Sequence, residues 1–423
     1  MNVAVIGIGR IGLPIAAKIA SNGHHVVGCD LDAGRVAMVN RGENPIPDEA
    51  GLGDLLARVV ASGNLRATTD TAGSVGRCET VLFAVAVDVD GAGRADLRSL
   101  LSAADDVARG MKPGTLCIFD TTLPVGTTRR ELAPRLEAAG LRLGPDFSVA
   151  FSPERLLMGR VIEDLGKYPK VVGGVDPAGG ERAAAFFHEA LGVEAMLLSS
   201  AETAELSKLS EGVYRDLNIA LANELAQVAD AHGVDISEVI RAANSQPYCH
   251  IHVPGTGVGG HCIPVYPQFL VQGSGPSDLA ALGRRVNDAM PGYAAGRVAR
   301  IVGGLSGKRV LILGLTFRPD VAVTPHTNAV DLLREFRARG ADVRGHDPLL
   351  TEEGVRALGF DPAPAPLQGY DVAVLHAYHR VYRDLDWRTI APLLVDARNA
   401  LDRAAVEAAG VRYVGIGRPV SPD

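Results

Sequence analysis

Four glycines and a proline surround one thiol in Gly255-Thr-Gly-Val-Gly-Gly-His-Cys262-Ile-Pro264. Glycine lets another molecule approach the main chain closely, so a substrate can reach a thiol that a bulkier loop would screen. Cys262 is therefore a candidate nucleophile, with Gly259 and Gly260 as the backbone beside it. Alone, the stretch also reads as a tight turn with an incidental small residue. Lys208 lies in a helical pattern and is one of only six lysines against 36 arginines. An ammonium there suits a developing oxyanion, although a solvated helix face is the plainer reading. Thr122 and Glu154 each follow an apolar run, at the edge where open α/β sheets bind ligands. A helix cap and a solvated loop acid are their ordinary alternatives.

The elements that must position these groups begin at the first residue. Asn2–Ile6 is an apolar run entering Gly7-x-Gly9-x-x-Gly12, with Arg10 and Ile11 between the last two glycines. A helix pattern follows, then His25-Val-Val-Gly-Cys-Asp30. This is a dinucleotide fingerprint in context: Gly7 for the turn, Gly9 for the pyrophosphate and Gly12 for helix–strand packing. Asp30 would bind the adenosine ribose and repel a 2′-phosphate, which favours NAD over NADP; Arg35 works against that choice. Further strands are expected at Thr80–Val85, Thr115–Asp120 and Ser148–Glu154.

From Glu202 to about Ala231, Leu206, Leu209, Val213, Leu217, Leu221, Leu225 and Val228 recur at helical spacing. Such a face is more apolar surface than one domain should leave open, so a homodimer built on this helix is expected. A second α/β unit starts near Leu305, with strands at Lys308–Leu313, Ala341–Asp347 and Asp371–His376 and a helix at Asn328–Gly340. The fold class is α/β: two Rossmann-like domains joined by a helical dimerisation segment with one long central helix. The expected divisions are an NAD-binding domain at 1–195, a helical segment at 196–300 and a nucleotide-binding domain at 301–423, with Cys262 at a cleft between the outer two.

The 423 residues carry a net charge of −7, which argues against a nucleic-acid partner. Five scattered cysteines suggest a reducing, cytoplasmic setting. No CxxC pair offers a metal site, no run is long enough to span a membrane, and a strand at the first residues leaves no signal peptide.

Taken together, the fingerprint, Asn44–Leu52, Thr121–Thr127, Ser152–Arg155, Ala204–Leu209, Gly257–Cys262 and Gly314–Phe317 resemble the UDP-glucose/GDP-mannose dehydrogenase family. Within it, the UDP-N-acetylmannosamine dehydrogenase branch is most similar. The resemblance implies two successive hydride transfers to NAD, taking a primary alcohol to an acid. Cys262 would form a thiohemiacetal and then a thioester, Lys208 would stabilise the oxyanion, and Thr122 and Glu154 would position water. Thr122, Glu154 and the turn at Val85 would also adjoin the cofactor. Arg155, Gly212, Tyr248, Phe317 and Arg318 would fall on the substrate side.

The sequence departs from that pattern at instructive places. Gly212 stands where the family has asparagine, one turn after the lysine, and Tyr266 where it has aspartate, four residues after the cysteine. A substrate arginine is replaced around Gln246–Tyr248, a Val-Pro-Thr-Pro turn has become Val85-Ala-Val-Asp88, and Arg318 replaces a lysine. Three readings follow: a nucleotide-sugar dehydrogenase with an altered substrate, a dehydratase or epimerase that oxidises transiently and returns the hydride, or a non-catalytic nucleotide-binding homologue. The larger Tyr266 phenol could extend toward the room that Gly212 leaves, or simply pack the cleft wall.

Overall fold

A computed structural model describes residues 1–91, 93–156, 159–260, 262–272 and 276–420. Two compact units emerge: Met1–Glu211 with Gln268–Ser274, and Gly212–Pro267 with Gly275–Asp423.

The first unit holds an eight-stranded sheet: β1 (Asn2–Ile6), β2 (His25–Cys29), β3 (Leu65–Thr68), β4 (Thr80–Phe83), β5 (Leu116–Phe119), β6 (Ser148–Phe151), β7 (Lys170–Gly174) and β8 (Ala195–Leu198). Their order is β3-β2-β1-β4-β5-β6-β7-β8. The first six follow the doubly wound dinucleotide-binding order. Their runs are apolar because both faces are covered: Val81, Leu82 and Phe83 are all fully buried. Neighbours pair in parallel except β6 and β7, where Phe151 faces Gly173 in antiparallel register. The sequence reading missed both β7 and β8, and this reversal proves central to the site.

The second unit carries a six-stranded parallel sheet of β9 (Arg309–Leu313), β10 (Asp342–His346), β11 (Asp361–Pro362), β12 (Val372–Leu375), β13 (Leu393–Asp396) and β14 (Arg412–Gly415). Its order, β11-β10-β9-β12-β13-β14, repeats the same winding. Val310 and Ile312 enter one core and Leu311 and Leu313 the other, as strand alternation requires.

The long helix runs Ala201–His232, as expected. A second long helix, Asp278–Val302, was not expected, because Pro291 lies inside it. Proline ordinarily breaks a helix. Here Pro291 is buried, and Met290, Ala294 and Val298 around it pack with Ala226 and Ala229 of the first helix.

The apolar face read along the first helix splits in two. Leu209 is fully buried and Leu225 packs against the second core, while Leu206, Leu221 and Val228 stay about half exposed. Tyr214 joins the open set. Residues spaced by three and four drift around a helix of 3.6 residues per turn, so the series was too wide for one face. Among the described residues, no helix is long and apolar enough to cross a membrane.

Candidate functional site

In the first unit, β1 ends at Gly7, whose φ of +88° is a left-handed conformation. A Cβ on Gly12 would collide with the Gly7 carbonyl, whereas one on Gly9 would meet nothing within 4 Å. The helix Gly12–Ser21 has no side-chain cap. An open glycine before an uncapped helix start suits a pyrophosphate. The Asp30 carboxylate, just past β2, accepts the N–H groups of Ile8 (3.1 Å) and Asp32 (3.0 Å). These residues fit NAD: Gly7, Gly9 and Gly12 would hold the pyrophosphate and Asp30 the ribose. Arg10 pairs with Asp48 at 2.6 Å, and Ile11 packs against the core. The Val85 carbonyl accepts the Thr121 hydroxyl at 2.5 Å, fixing that turn.

Arg35 ion-pairs with Asp30 at 3.1 Å. NAD is still expected to bind at least about tenfold tighter than NADP, about 1.4 kcal/mol, because the Asp30 carboxylate would bind the ribose hydroxyls and repel a 2′-phosphate. Titration of both cofactors checks this, and Asp30→Ala should narrow the gap. Equal affinities in the unaltered protein would remove Asp30 from this role.

Thr122 is buried just beyond β5. Its turn is held from the long helix: buried Glu205 accepts the N–H groups of Gly126 and Thr128 (2.9 Å to the latter) and the Thr128 hydroxyl (2.6 Å). Lys208, nearly buried, lies one turn further along that helix and approaches Glu211 at 3.9 Å. Glu211 also takes Arg155 at 3.3 Å, so one carboxylate ties Lys208 to the residue after Glu154. Sequence reasoning missed Glu205, although it lies within the Ala204–Leu209 motif.

Glu154 is folded back on its own loop. Its Oε1 accepts the N–H groups of Arg155 and Leu156, each at 2.6 Å, and its Oε2 accepts Lys170 Nζ at 3.0 Å. Burial alone would raise its pKa, but Lys170 and these hydrogen bonds more than offset that and lower it. Lys170 and its second partner, Asp120, had no assigned role in the sequence reading. Nothing local to Lys170 signals that β7 runs backwards and delivers it here.

In the second unit the cysteine loop is hung from two helices. Gly255 N–H donates to Asn223 (2.8 Å), Asn223 to Asn287 (2.8 Å), and Asn287 and Arg284 both to Asp216 (2.8 and 2.7 Å). Gly257 and Gly260 have φ of +106° and +91°. A Cβ on Gly260 would fall 2.7 Å from the Phe317 ring, and one on Gly259 2.8 Å from the His326 carbonyl. The glycines thus let this loop lie on the turn after β9, with the Arg318 guanidinium 5.7 Å from the Phe317 ring centre. Cys262 is exposed, and its carbonyl accepts the Tyr266 N–H at 3.0 Å. His261 lies outside the described residues.

Tyr266 is buried, and its ring occupies the space beside Gly212. A Cβ on Gly212 would sit 2.5 Å from Tyr266 Cδ2, 3.0 Å from its Cβ and 3.2 Å from its Cγ. By contrast Tyr248 is 94% exposed, so within one chain it is not brought to the loop.

Sequence profiles of the UDP-glucose/GDP-mannose dehydrogenase family match in three parts: the NAD binding domain over 1–191, the central domain over 202–288 and the UDP binding domain over 311–403. The chain belongs to this family. It is an NAD-dependent oxidoreductase of the nucleotide-sugar dehydrogenase type. The UDP-N-acetyl-D-mannosamine dehydrogenase of Pyrococcus horikoshii is 32% identical over 428 residues, covering 99% of each chain. That of Salmonella typhimurium is 36% identical over 380 residues, 84% of this chain and 86% of the relative. The solved P. horikoshii structure superposes with a TM-score of 0.90 at 33% identity, over 99% of this chain and 100% of that one. A UDP-glucose dehydrogenase of Pyrobaculum islandicum gives 0.86 at 30% identity, over 99% and 98%.

Proposed function

We propose that the chain oxidises a primary alcohol of a UDP-linked N-acetylhexosamine through a Cys262 adduct, and that the release of this adduct by water is impaired. The substrate class rests on the relatives, which are named for UDP-N-acetyl-D-mannosamine. The impairment rests on one observation: a buried tyrosine packed on Gly212 stands where the family resemblance implies an acid that helps activate water.

NAD, held by Gly7, Gly9, Gly12 and Asp30, would supply the hydride acceptor for each of the two oxidations. Glu154 and Thr122 orient the alcohol and, later, the water. The Cys262 thiolate adds to the aldehyde carbon, and the Lys208 ammonium balances the charge on its oxygen. Loss of a second hydride leaves a thioester. Water must then add, losing a proton to Glu154, and the thiolate leaves as the acid forms. The neutral Tyr266 phenol stands where a second carboxylate would help draw that proton from water, and it is a weaker base, so this last step is the slow one. Tyr266 also favours a second reading, a dehydratase or epimerase that returns the hydride to its substrate. Incubation with NAD and a panel of UDP-sugars, followed at the NADH absorbance and by mass spectrometry, tests both. No change in any sugar would overturn both.

The open stripe of Leu206, Tyr214, Leu221 and Val228, spaced by eight, seven and seven, supports a homodimer on the long helix. Sedimentation at micromolar concentration should give twice the chain mass, and Leu221→Glu should shift it toward monomer. A purely monomeric unaltered protein would sink the idea. Cysteines without disulfides among the described residues support a cytoplasmic location.

A further inference from the structure

Lys170 opens β7, the strand that runs antiparallel to β6. That reversal brings its ammonium to the carboxyl edge of the parallel strands, where β5 and β6 end in Asp120 and in the Ser152–Glu154 turn. The register is tight: Phe119 pairs with Phe151, and Glu154 N–H donates to the Asp120 carbonyl at 3.1 Å. Lys170 Nζ donates to Asp120 Oδ1 at 2.9 Å and to Glu154 Oε2 at 3.0 Å. It also lies 5.0 Å from the centre of the Phe187 ring. All three side chains are about nine-tenths or more buried. Among the described residues, Asp120 Oδ2 is enclosed with no hydrogen-bond partner.

One cation among two carboxylates in so dry a place balances only one negative charge. We infer that Lys170 is a positioning residue that holds Glu154 as the anion, and that Asp120 supplies the neutral, proton-bearing partner. This deepens the role given to Glu154 above and rests on it. The two carboxyls differ for a geometric reason. Glu154 receives two backbone N–H groups as well as the ammonium, whereas among the described residues the Asp120 side chain receives the ammonium and no backbone N–H group. Burial accordingly pushes Asp120 well above the ordinary carboxylate range despite Lys170. Lys170 itself is raised: burial lowers it, and the two acids more than compensate.

The other charged or titratable groups nearby do not change this assignment. Tyr168, whose hydroxyl donates to the Arg155 carbonyl at 2.7 Å, is raised by burial and by Glu154. Asp164 is neutralised by Lys167 at 3.0 Å and Arg160 at 3.5 Å, and Arg155 by Glu211. Glu154, Lys170, Asp164 and Tyr168 border a cavity of about 10 Å³, close to the room one water needs. The triad thus keeps an ionised base in a nearly dry site without leaving net charge there.

The full-length protein loaded with NAD provides the test. An infrared difference spectrum at pH 7 between the unaltered protein and Asp120→Asn should contain the carbonyl stretch of one protonated carboxylic acid. Its absence would overturn the charge assignment, whatever sugar the enzyme uses. Lys170→Met should raise the acid limb of the kcat/KM profile by about one to three pH units, with the KM for NAD little changed and activity regained as pH rises. A lower melting temperature with an unmoved acid limb would overturn the positioning role. If Lys170→Met does not fold, the Asp120→Asn spectrum decides alone. If the protein turns over no UDP-sugar, that spectrum still tests the triad, separating its failure from that of the proposed substrate.

Discussion

Gly212→Asn is expected to destabilise the second unit by about 3 kcal/mol or more, and the double variant with Tyr266→Asp to lose about 2 kcal/mol less than the two single losses added together. The argument begins from the smallest change. Alanine at 212 would gain about 1 kcal/mol in helix propensity over glycine. Its Cβ would nonetheless stand 2.5 Å from Tyr266 Cδ2 and 3.0 Å from Tyr266 Cβ. The second atom is fixed to the backbone, so no rotamer of the tyrosine clears the clash and the two segments must part. Overpacking of this kind costs about 1 to 3 kcal/mol, so even Gly212→Ala should be net destabilising. Asparagine is larger and lacks the propensity gain. Tyr266→Asp alone is also costly, because it leaves a cavity lined in part by a carboxylate. Together the two substitutions exchange ring volume for amide volume, so the double-mutant cycle should show about 2 kcal/mol of favourable coupling. Urea midpoints at fixed protein concentration measure it. Strictly additive losses would show that the pair is not the unit the packing indicates.

This pair also marks how far the sequence was legible. Gly212 and Tyr266 stood out as two departures from one pattern, and a glycine inside a helix already asked what needed the space. The fingerprint was equally legible, because its glycines are forced by local approach: Gly12 has no room for a Cβ against Gly7. Three strands of the second unit, β9, β10 and β12, were readable, the first and last as apolar runs because both their faces are covered, whereas β11, β13 and β14 were not read. The helix around Pro291 was not readable, since only tertiary packing of Met290, Ala294 and Val298 stabilises it. Nor was Lys170. Its chemistry depends on β7 running against β6, and no residue in Lys170–Gly174 encodes a direction. Glu205 was hidden for a related reason, since its partners Gly126 and Thr128 are remote in sequence and meet it only through the fold.

With NAD and UDP-N-acetylmannosamine, the unaltered enzyme is expected to give a rapid burst of about two NADH per active site, one for each oxidation before the thioester, and then a much slower phase. A burst of this kind is what an accumulating acyl-enzyme produces. The thiol for it is in place: Cys262 is exposed on a loop whose glycines let it lie on the turn after β9. The group that would help Glu154 activate water for its release is altered. Tyr266 is buried against Gly212, so its phenol cannot act as a freely solvated carboxylate would. Removing a general acid–base group typically slows a step by about 10² to 10⁴-fold, which sets the expected ratio of burst to steady rate. Intact-mass measurement during the slow phase should find the sugar acid joined to the protein, and peptide mapping should place it on Cys262. Cys262→Ala should abolish that adduct while sparing the first oxidation. Gly212→Asn with Tyr266→Asp should shorten the slow phase and raise the yield of free carboxylate toward two NADH per sugar. Linear turnover by the unaltered protein, with two NADH per sugar, free acid and no adduct, would sink the impaired-release reading and leave an ordinary dehydrogenase. A sugar that loses water or changes configuration with no NADH build-up would instead establish the hydride-returning alternative, and Tyr266→Phe should then abolish the activity.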